Sequence, residues 1–228
     1  MKIVFALFMV LLTTIIYLWM TKVYQRFHFP ILVPIATSTV VIILFLSLFH
    51  ISYEDYMLGG KWIDELLGPA VVALAYPLYE NRKQLKEHFL PIVASVFAGT
   101  VIGLLSGIYL SLLLDVDENL LLSLAPKSVT SPVAMDIATI IGGIPALAAV
   151  YVMVAGISGA MFGPYILKFF NIHHPIAVGI GFGAASHGIG MAKAYEFGRL
   201  QGAISSISMT LSAVFASILS PFVIQFFI

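Results

Sequence analysis

The sequence predicts an all-α polytopic membrane protein, a single transmembrane domain over residues 1–228, on three observations. Hydrophobic residues make up 61% of the 228 and charged residues 10%, which is far more apolar than an average soluble domain. The apolar sequence falls into stretches of about 20 residues, the length a helix needs to cross hydrocarbon. Two stretches are interrupted by polar, helix-breaking sequence, Pro126-Lys127-Ser128-Val129-Thr130-Ser131-Pro132 and Ala185-Ser186-His187-Gly188-Ile189-Gly190. Free backbone groups find no partner in lipid, so broken backbone at that depth is tolerated only where it lines a protein cavity.

Eight elements are expected. The first, near 3 to 21, ends its apolar run in Trp19 with no small-residue cleavage pattern before Thr21-Lys22, so it reads as a retained span and not a signal peptide. The second covers 30 to 49. The third, 62 to 80, is interrupted by Gly68-Pro69, and the polar linker from Glu80 to His88 separates it from the fourth, 89 to 114. The fifth, 118 to 140, and the seventh, 174 to 198, carry the two polar breaks. The sixth, 145 to 169, and the eighth, 203 to 227, run unbroken. Gly99, Gly103 and Gly107 in the fourth element, and Gly156, Gly159 and Gly163 in the sixth, read as surfaces for close helix packing.

If all eight elements cross, one side receives Lys22, Arg26, Arg82, Lys83, Lys86 and Arg199, and the other Lys2, Lys61 and Lys168. The first side is then cytoplasmic, with both termini outside. The outer side also collects Glu54, Asp55, Asp64, Glu65, Asp115, Asp117 and Glu118. Residues 118–169 and 174–227 share a rhythm: a half-helix, a polar break, a second short helix, a glycine corner (Gly142-Gly143, Gly202) and a long span. With both broken elements crossing in the same direction, this weak internal repeat is expected to be parallel.

The breaks carry the chemistry. Ser131 before Pro132 suits a helix start, because serine caps free amides and proline fits the first helical position. Ser186 and the glycines after it permit a similar sharp turn. A half-helix amino terminus offers unpaired N–H groups and about half a positive charge, so two of them meeting near the midplane would bind an anion. Lys127, Ser128, Thr130, Ser131, Ser186, His187 and Gly188 are the candidate substrate residues, and the expected ligand is a small carboxylate. The structural alternatives are a snorkelling Lys127 and a His187 that donates to a neighbouring carbonyl. An ordinary imidazole titrates near pH ~6.5, which makes His187 the first candidate for proton coupling. Asp136 and Glu196 follow, although an ion pair of Lys193 with Glu196 near Arg199 would leave them interfacial.

Other chemistries find less support. Equal numbers of acidic and basic residues, 11 each, leave no basic footprint for nucleic acid. No cysteine is present, which removes disulfides and thiolate chemistry. His173-His174 lacks further ligand spacing, so no metal site and no cofactor are expected. An enzyme is not expected either: the sequence has no HExxH and no paired intramembrane aspartates, and the adjacent Ser186 and His187 are badly placed as a dyad.

At four motifs the chain resembles a known family. Leu67-Gly68-Pro69-Ala70-Val71-Val72-Ala73-Leu74-Ala75-Tyr76-Pro77-Leu78-Tyr79, Pro126 to Met135, Ile141-Gly142-Gly143-Ile144-Pro145-Ala146 and Ala185 to Gly190 stand in the order seen in the LrgB/CidB family. Ser131, Met191 and Lys193 stand where the resemblance leads one to expect Thr, Thr and Arg in many relatives. The resemblance implies two functions. Some bacterial members are named holin-like or antiholin-like, are tied to murein hydrolase activity and lysis, and act with a small LrgA/CidA-type membrane partner. Others look like carriers of pyruvate, or of glycolate and glycerate in the plastid envelope. A holin needs only helices that aggregate into lesions and gains nothing from two polar breaks. The expectation is therefore a small-monocarboxylate transporter, a homo-oligomer in the lipid bilayer of the bacterial inner membrane, with the holin-like role as the alternative.

Overall fold

The computed structural model describes residues 2–27, 29, 32 and 34–227, which form two compact units, Met1–Ala70 and Val71–Ile228. The first holds α1 (Lys2–Phe27), α2 (Pro34–Leu48) and α3 (Tyr53–Asp64). Gly59 of α3 lies so close to Ala6 and Met9 of α1 that a Cβ there would strike the Ala6 carbonyl. The Thr13 and Tyr56 hydroxyls bond at 3.0 Å across the same contact. Helix α3 was not expected. Its start is legible afterwards, because Ser52 accepts from the Asp55 amide at 3.1 Å and donates to the Asp55 carboxylate at 2.8 Å, a reciprocal cap placed before an acidic first turn.

Helix α4 (Leu67–Ala73) follows, then α5 (Ala75–Glu80), α6 (Arg82–Glu87), α7 (Phe89–Leu113), α8 (Glu118–Leu124), α9 (Ser131–Ile141), α10 (Pro145–Phe169), α11 (Pro175–Phe197) and α12 (Arg199–Ile224). The expected third element, 62 to 80, is thus the end of α3 followed by two short helices, and the expected polar linker is largely helix α6. Among the described residues, five helices are long and apolar enough to cross a membrane: α1, α7, α10, α11 and α12. The chain is a multi-pass membrane protein.

In the second unit α12 is the hub, packed against α5, α7, α9 and α11, and the contacts fix how the helices run. Ile92 and Val96 near the start of α7 cluster with Ile176 near the start of α11 and with Ile204 and Ile207 near the start of α12. At the far ends, Ile108 of α7 clusters with Leu121 and Leu122 of α8 and with Ile224 of α12. Helices α7, α12 and the first arm of α11 therefore run in the same direction. The end where they start carries Arg82, Lys83, Lys86 and Arg199, and the end where α7 stops carries Asp115, Asp117 and Glu118. These are the basic end and the acidic end.

Both polar breaks reverse the chain. Along α11, Gly179 lies against Ile204 and Gly183 against Ser205 and Ser208, in step with α12, yet Gly190 lies against the Phe182 carbonyl. Ala194 clusters with Val178 and Phe182. Residues 188–197 thus return beside 175–186, and the turn is at His187, whose φ of 41° and ψ of −131° are not helical. A straight α11 would put Gly190 about 12 Å from Phe182 along its axis. Helices α8 and α9 reverse likewise. Leu124 and Lys127 sit by Gly107 and Ser128 by Gly103, so the chain travels back along α7. Then Ile141 at the end of α9 reaches Leu121 and Leu122, and the Ile144 amide donates to the Ser123 hydroxyl at 2.7 Å.

This corrects three expectations. The fifth and seventh elements do not cross in the same direction: each is a hairpin, one from the acidic end and one from the basic end. The 142–144 corner consequently lies at the acidic end, whereas Lys168 joins the basic end. The corner before the last span is Gly198, at φ 150°, and not Gly202, which is buried in α12 against the Tyr195 ring. The sequence concealed the reversals because a hairpin of two short apolar arms has the length and hydropathy of one span.

The arrangement has a direct check. In a chain without native cysteine, Gln84→Cys and His173→Cys should react with a membrane-impermeant thiol reagent from the same side. Reaction from opposite sides would restore a crossing at 118–140 in place of the α8–α9 hairpin.

Candidate functional site

The first hairpin tip is residues 125–130. Proline at 126 and 132 prevents one helix from running through, and α9 begins at Ser131 with Thr130 as its N-cap, not Ser131 as expected. The Thr130 side chain caps nothing, and its hydroxyl is buried without a partner. The Ser131 and Val133 amides belong to the first turn and have no intrahelical acceptor, while Pro132 has no N–H at all. Lys127 reaches sideways to donate to the Gly103 carbonyl of α7 at 2.7 Å. Gly103 and Gly107 make this possible: a Cβ on Gly107 would come 2.7 Å from the Lys127 nitrogen, and one on Gly103 would come 3.3 Å from the Ser128 hydroxyl. Gly103 lies about 21 Å from the start of α7 and about 15 Å from its end. The ammonium is thus held near mid-helix rather than snorkelled to an interface.

The second tip is more tightly seated. Ser186 is 1% exposed and His187 5%. His187 Nε2 lies 2.9 Å from the Val152 carbonyl of α10, and because a carbonyl only accepts, the proton is on Nε2 and Nδ1 is the nitrogen left free. The glycines of α10 form the seat: Gly156 lies under the imidazole, Gly159 under Ser186 and Gly163 under Phe182. Any side chain at Gly159 would overlap the Ser186 hydroxyl. Gly159→Val is therefore expected to cost about 1–3 kcal/mol, read as a lower midpoint of thermal unfolding in detergent. An unchanged midpoint would refute the seat.

The two tips border the same buried core at the middle of the bundle. Val129 of the first and Val152, the bonding partner of His187, belong to one buried cluster with Val133, Ile137 and Ala213. On α7, Gly99 lies beside Ala184, one turn from Gly103. Two helix amino termini, that of α9 and that of the second arm of α11 at Gly188, thus point inward from opposite ends.

Lys127, Ser128, Thr130 and Ser131 are half-buried on the first tip, Ser186 and His187 are buried on the second, and half-buried Gly188 lies 4.0 Å, from an added Cβ, to the Met209 sulfur. Asp136 is exposed on α9. Glu196 pairs with Lys193, the one salt bridge among the described residues, and Arg199 is not part of it. No group of three or more metal-ligating side chains stands together among the described residues.

Sequence reasoning passed over the polar face of α12, where Ser205, Ser206, Ser208, Thr210, Ser212 and Ser220 are all buried. Ser212 meets Thr100 of α7 at 3.1 Å. The signal was present, since a run so rich in hydroxyls is unusual for a span facing only lipid.

Comparison with known proteins gives a consistent picture. Residues 13–226 match the model of the LrgB-like family. The chain is 47% identical to the uncharacterized protein YxaC of Bacillus subtilis over 97% of its own length and 96% of that protein. It is 36% identical to the holin-like protein CidB of Staphylococcus aureus over 97% of both chains, and 34% identical to the CidB of Staphylococcus epidermidis, again over 97% of both. No solved structure matches.

Proposed function

Because the chain belongs to the LrgB-like family, we propose that it controls the permeability of a membrane to small anions, passing monocarboxylates of the pyruvate, glycolate, glycerate or lactate class between its two hairpin tips. One observation carries this reading. Lys127 is a cation held at mid-helix with no carboxylate within ion-pair reach among the described residues, and an intramembrane charge without a fixed counterion suits a transient anionic one. The inward amino termini of α9 and the second arm of α11 add partial positive charge at the same depth.

The charge distribution supports an orientation. With Lys168 moved to the basic end, that end of the second unit has Arg82, Lys83, Lys86, Lys168 and Arg199 against none at the acidic end, so the basic end is read as cytoplasmic in the bacterial inner membrane. The eight expected elements then divide into six that cross and two hairpins. Residues 118–169 and 174–227, each a hairpin and a span, form an inverted repeat in this reading, the arrangement that places a transporter's site at the midplane. His187 takes up a proton with the carboxylate at Nδ1, with Asp136 and Glu196 as lesser candidates. His187→Gln should keep binding and lose accumulation driven by a pH gradient alone, and continued uphill uptake would remove His187 from coupling.

The second reading is favoured by the names of relatives, two of which are holin-like, and those names speak for it more directly than anything speaks for a substrate. In that reading the chain modulates murein hydrolase export and lysis with an LrgA/CidA-type small membrane protein, as a homo-oligomer. Purified protein in liposomes separates the two. The carrier is expected to give saturable uptake of labelled pyruvate or glycolate and to retain an entrapped dye. Dye release without saturable uptake would make the holin-like reading the right one.

A further inference from the structure

The two hairpin tips are held very differently, and the difference has a direction. At the acidic-end hairpin, Lys127, Ser128, Thr130 and Ser131 are only half-buried. One side-chain bond, from Lys127 to Gly103, ties that tip to α7, and the Thr130 hydroxyl has no partner. At the basic-end hairpin, Ser186 and His187 are sealed against the glycine seat of α10. Yet this closed tip is the strained one. His187 is a non-glycine residue at φ 41° and ψ −131°, a conformation that side chains rarely adopt and that persists only where the surroundings enforce it. What enforces it is its own imidazole, bonded to the Val152 carbonyl at 2.9 Å and resting on Gly156. That side-chain bond ties the strained turn to α10, and the turn joins two arms packed face to face.

We propose that the α11 hairpin is the gate on the basic end of the pathway and that His187, through its bond to Val152, is the latch that holds it shut. This rests on the carrier reading for its purpose but not for its test. With the latch made, the midplane is closed from the basic end and less tightly closed from the acidic end. With the latch broken, the tip leaves the glycine seat and the first arm of α11 moves from α12. Ser205 reports that movement. It is 0% exposed, its hydroxyl has no partner, and it lies beneath Gly183 of the first arm.

The experiment places a reporter at Ser205→Cys, a change of one atom in a protein without other cysteines, and measures its reaction with an impermeant maleimide offered from the basic end. In the parent the rate should be low. His187→Ala removes the bond and leaves a non-glycine residue strained at the same positive φ, and the rate should rise at least tenfold. His187→Gln retains an amide donor for Val152 and should restore most of the protection. Equal rates in all three, with unchanged thermal unfolding, overturn the latch. Should the His187 variants fail to fold, hydrogen–deuterium exchange on the unaltered protein decides. The amides of 183–190 should then exchange together and at least tenfold faster than those of 150–160 in α10, and exchange as slow as that of α10 overturns the gate. A changed labelling rate without saturable uptake would support the gate while sinking the carrier reading alone.

Discussion

Lys127→Ala should abolish saturable carboxylate uptake while leaving the protein in the membrane. The ammonium lies at mid-helix, bonded to the Gly103 carbonyl at 2.7 Å, and an ammonium has three donors, so two remain for a ligand. A hydrogen bond to a charged group contributes roughly 1.5–3 kcal/mol, so the half-saturating concentration should rise at least about tenfold. Alanine also empties the groove over Gly103 and Gly107, which confounds charge with packing. Lys127→Met separates them, because it keeps an unbranched stem of similar length and loses the charge. Uptake lost in both variants assigns the effect to charge. Uptake retained in both would make Lys127 a clamp between the first hairpin and α7, and the ligand's charge would have to be met elsewhere.

The second large effect is structural. Gly190→Val should prise the α11 hairpin apart. A Cβ at this position would come 2.3 Å from the Phe182 carbonyl oxygen and 2.6 Å from the Ser186 Cβ, and backbone cannot step aside as a flexible side chain can. Overpacking typically costs about 1–3 kcal/mol and occasionally more, and this site should fall at the upper end because both arms also pack elsewhere. The expected result is poor recovery of folded protein in mild detergent and a lowered unfolding midpoint. Gly181→Val is the control, since nothing lies within 4 Å of its Cβ. Equal behaviour of the two would mean that Gly190 does not face Phe182, and the hairpin would be wrong.

The positions of the breaks were legible, and their geometry was not. Prolines 126 and 132 and the glycines after His187 announce that helix cannot continue, and the expected elements at 145 to 169 and 89 to 114 lie within a residue of α10 and α7. Hydropathy, however, measures how much apolar sequence there is, not which way it runs. Whether Gly190 lies one helical turn beyond Ser186 or folds back against Phe182 depends on a single pair of dihedrals at His187, which one histidine in an apolar stretch does not specify. Charge carried a partial clue: a hairpin at 118–140 moves Lys168 to the side of Arg82, Lys83 and Lys86, and one at 174–198 keeps Arg199 there, which sharpens the basic bias instead of spoiling it. The glycine series at 99, 103, 107 and 156, 159, 163 was legible as packing surface. Its partners, the tips themselves, could be identified only once the chain had folded back onto them.

The central claim is that a small carboxylate occupies the space between the tips, and substrate protection tests it most directly. Ser128→Cys on the first tip lies against Gly103 beside Lys127 and is the protein's one thiol. Its reaction with a small anionic thiol reagent should be measured in liposomes with and without saturating pyruvate or glycolate. The account predicts that the carboxylate slows the reaction at least tenfold, that an uncharged analogue of the same size does not, and that Lys127→Met removes the protection. A rate unchanged by either carboxylate, in protein that still takes that carboxylate up, would contradict it.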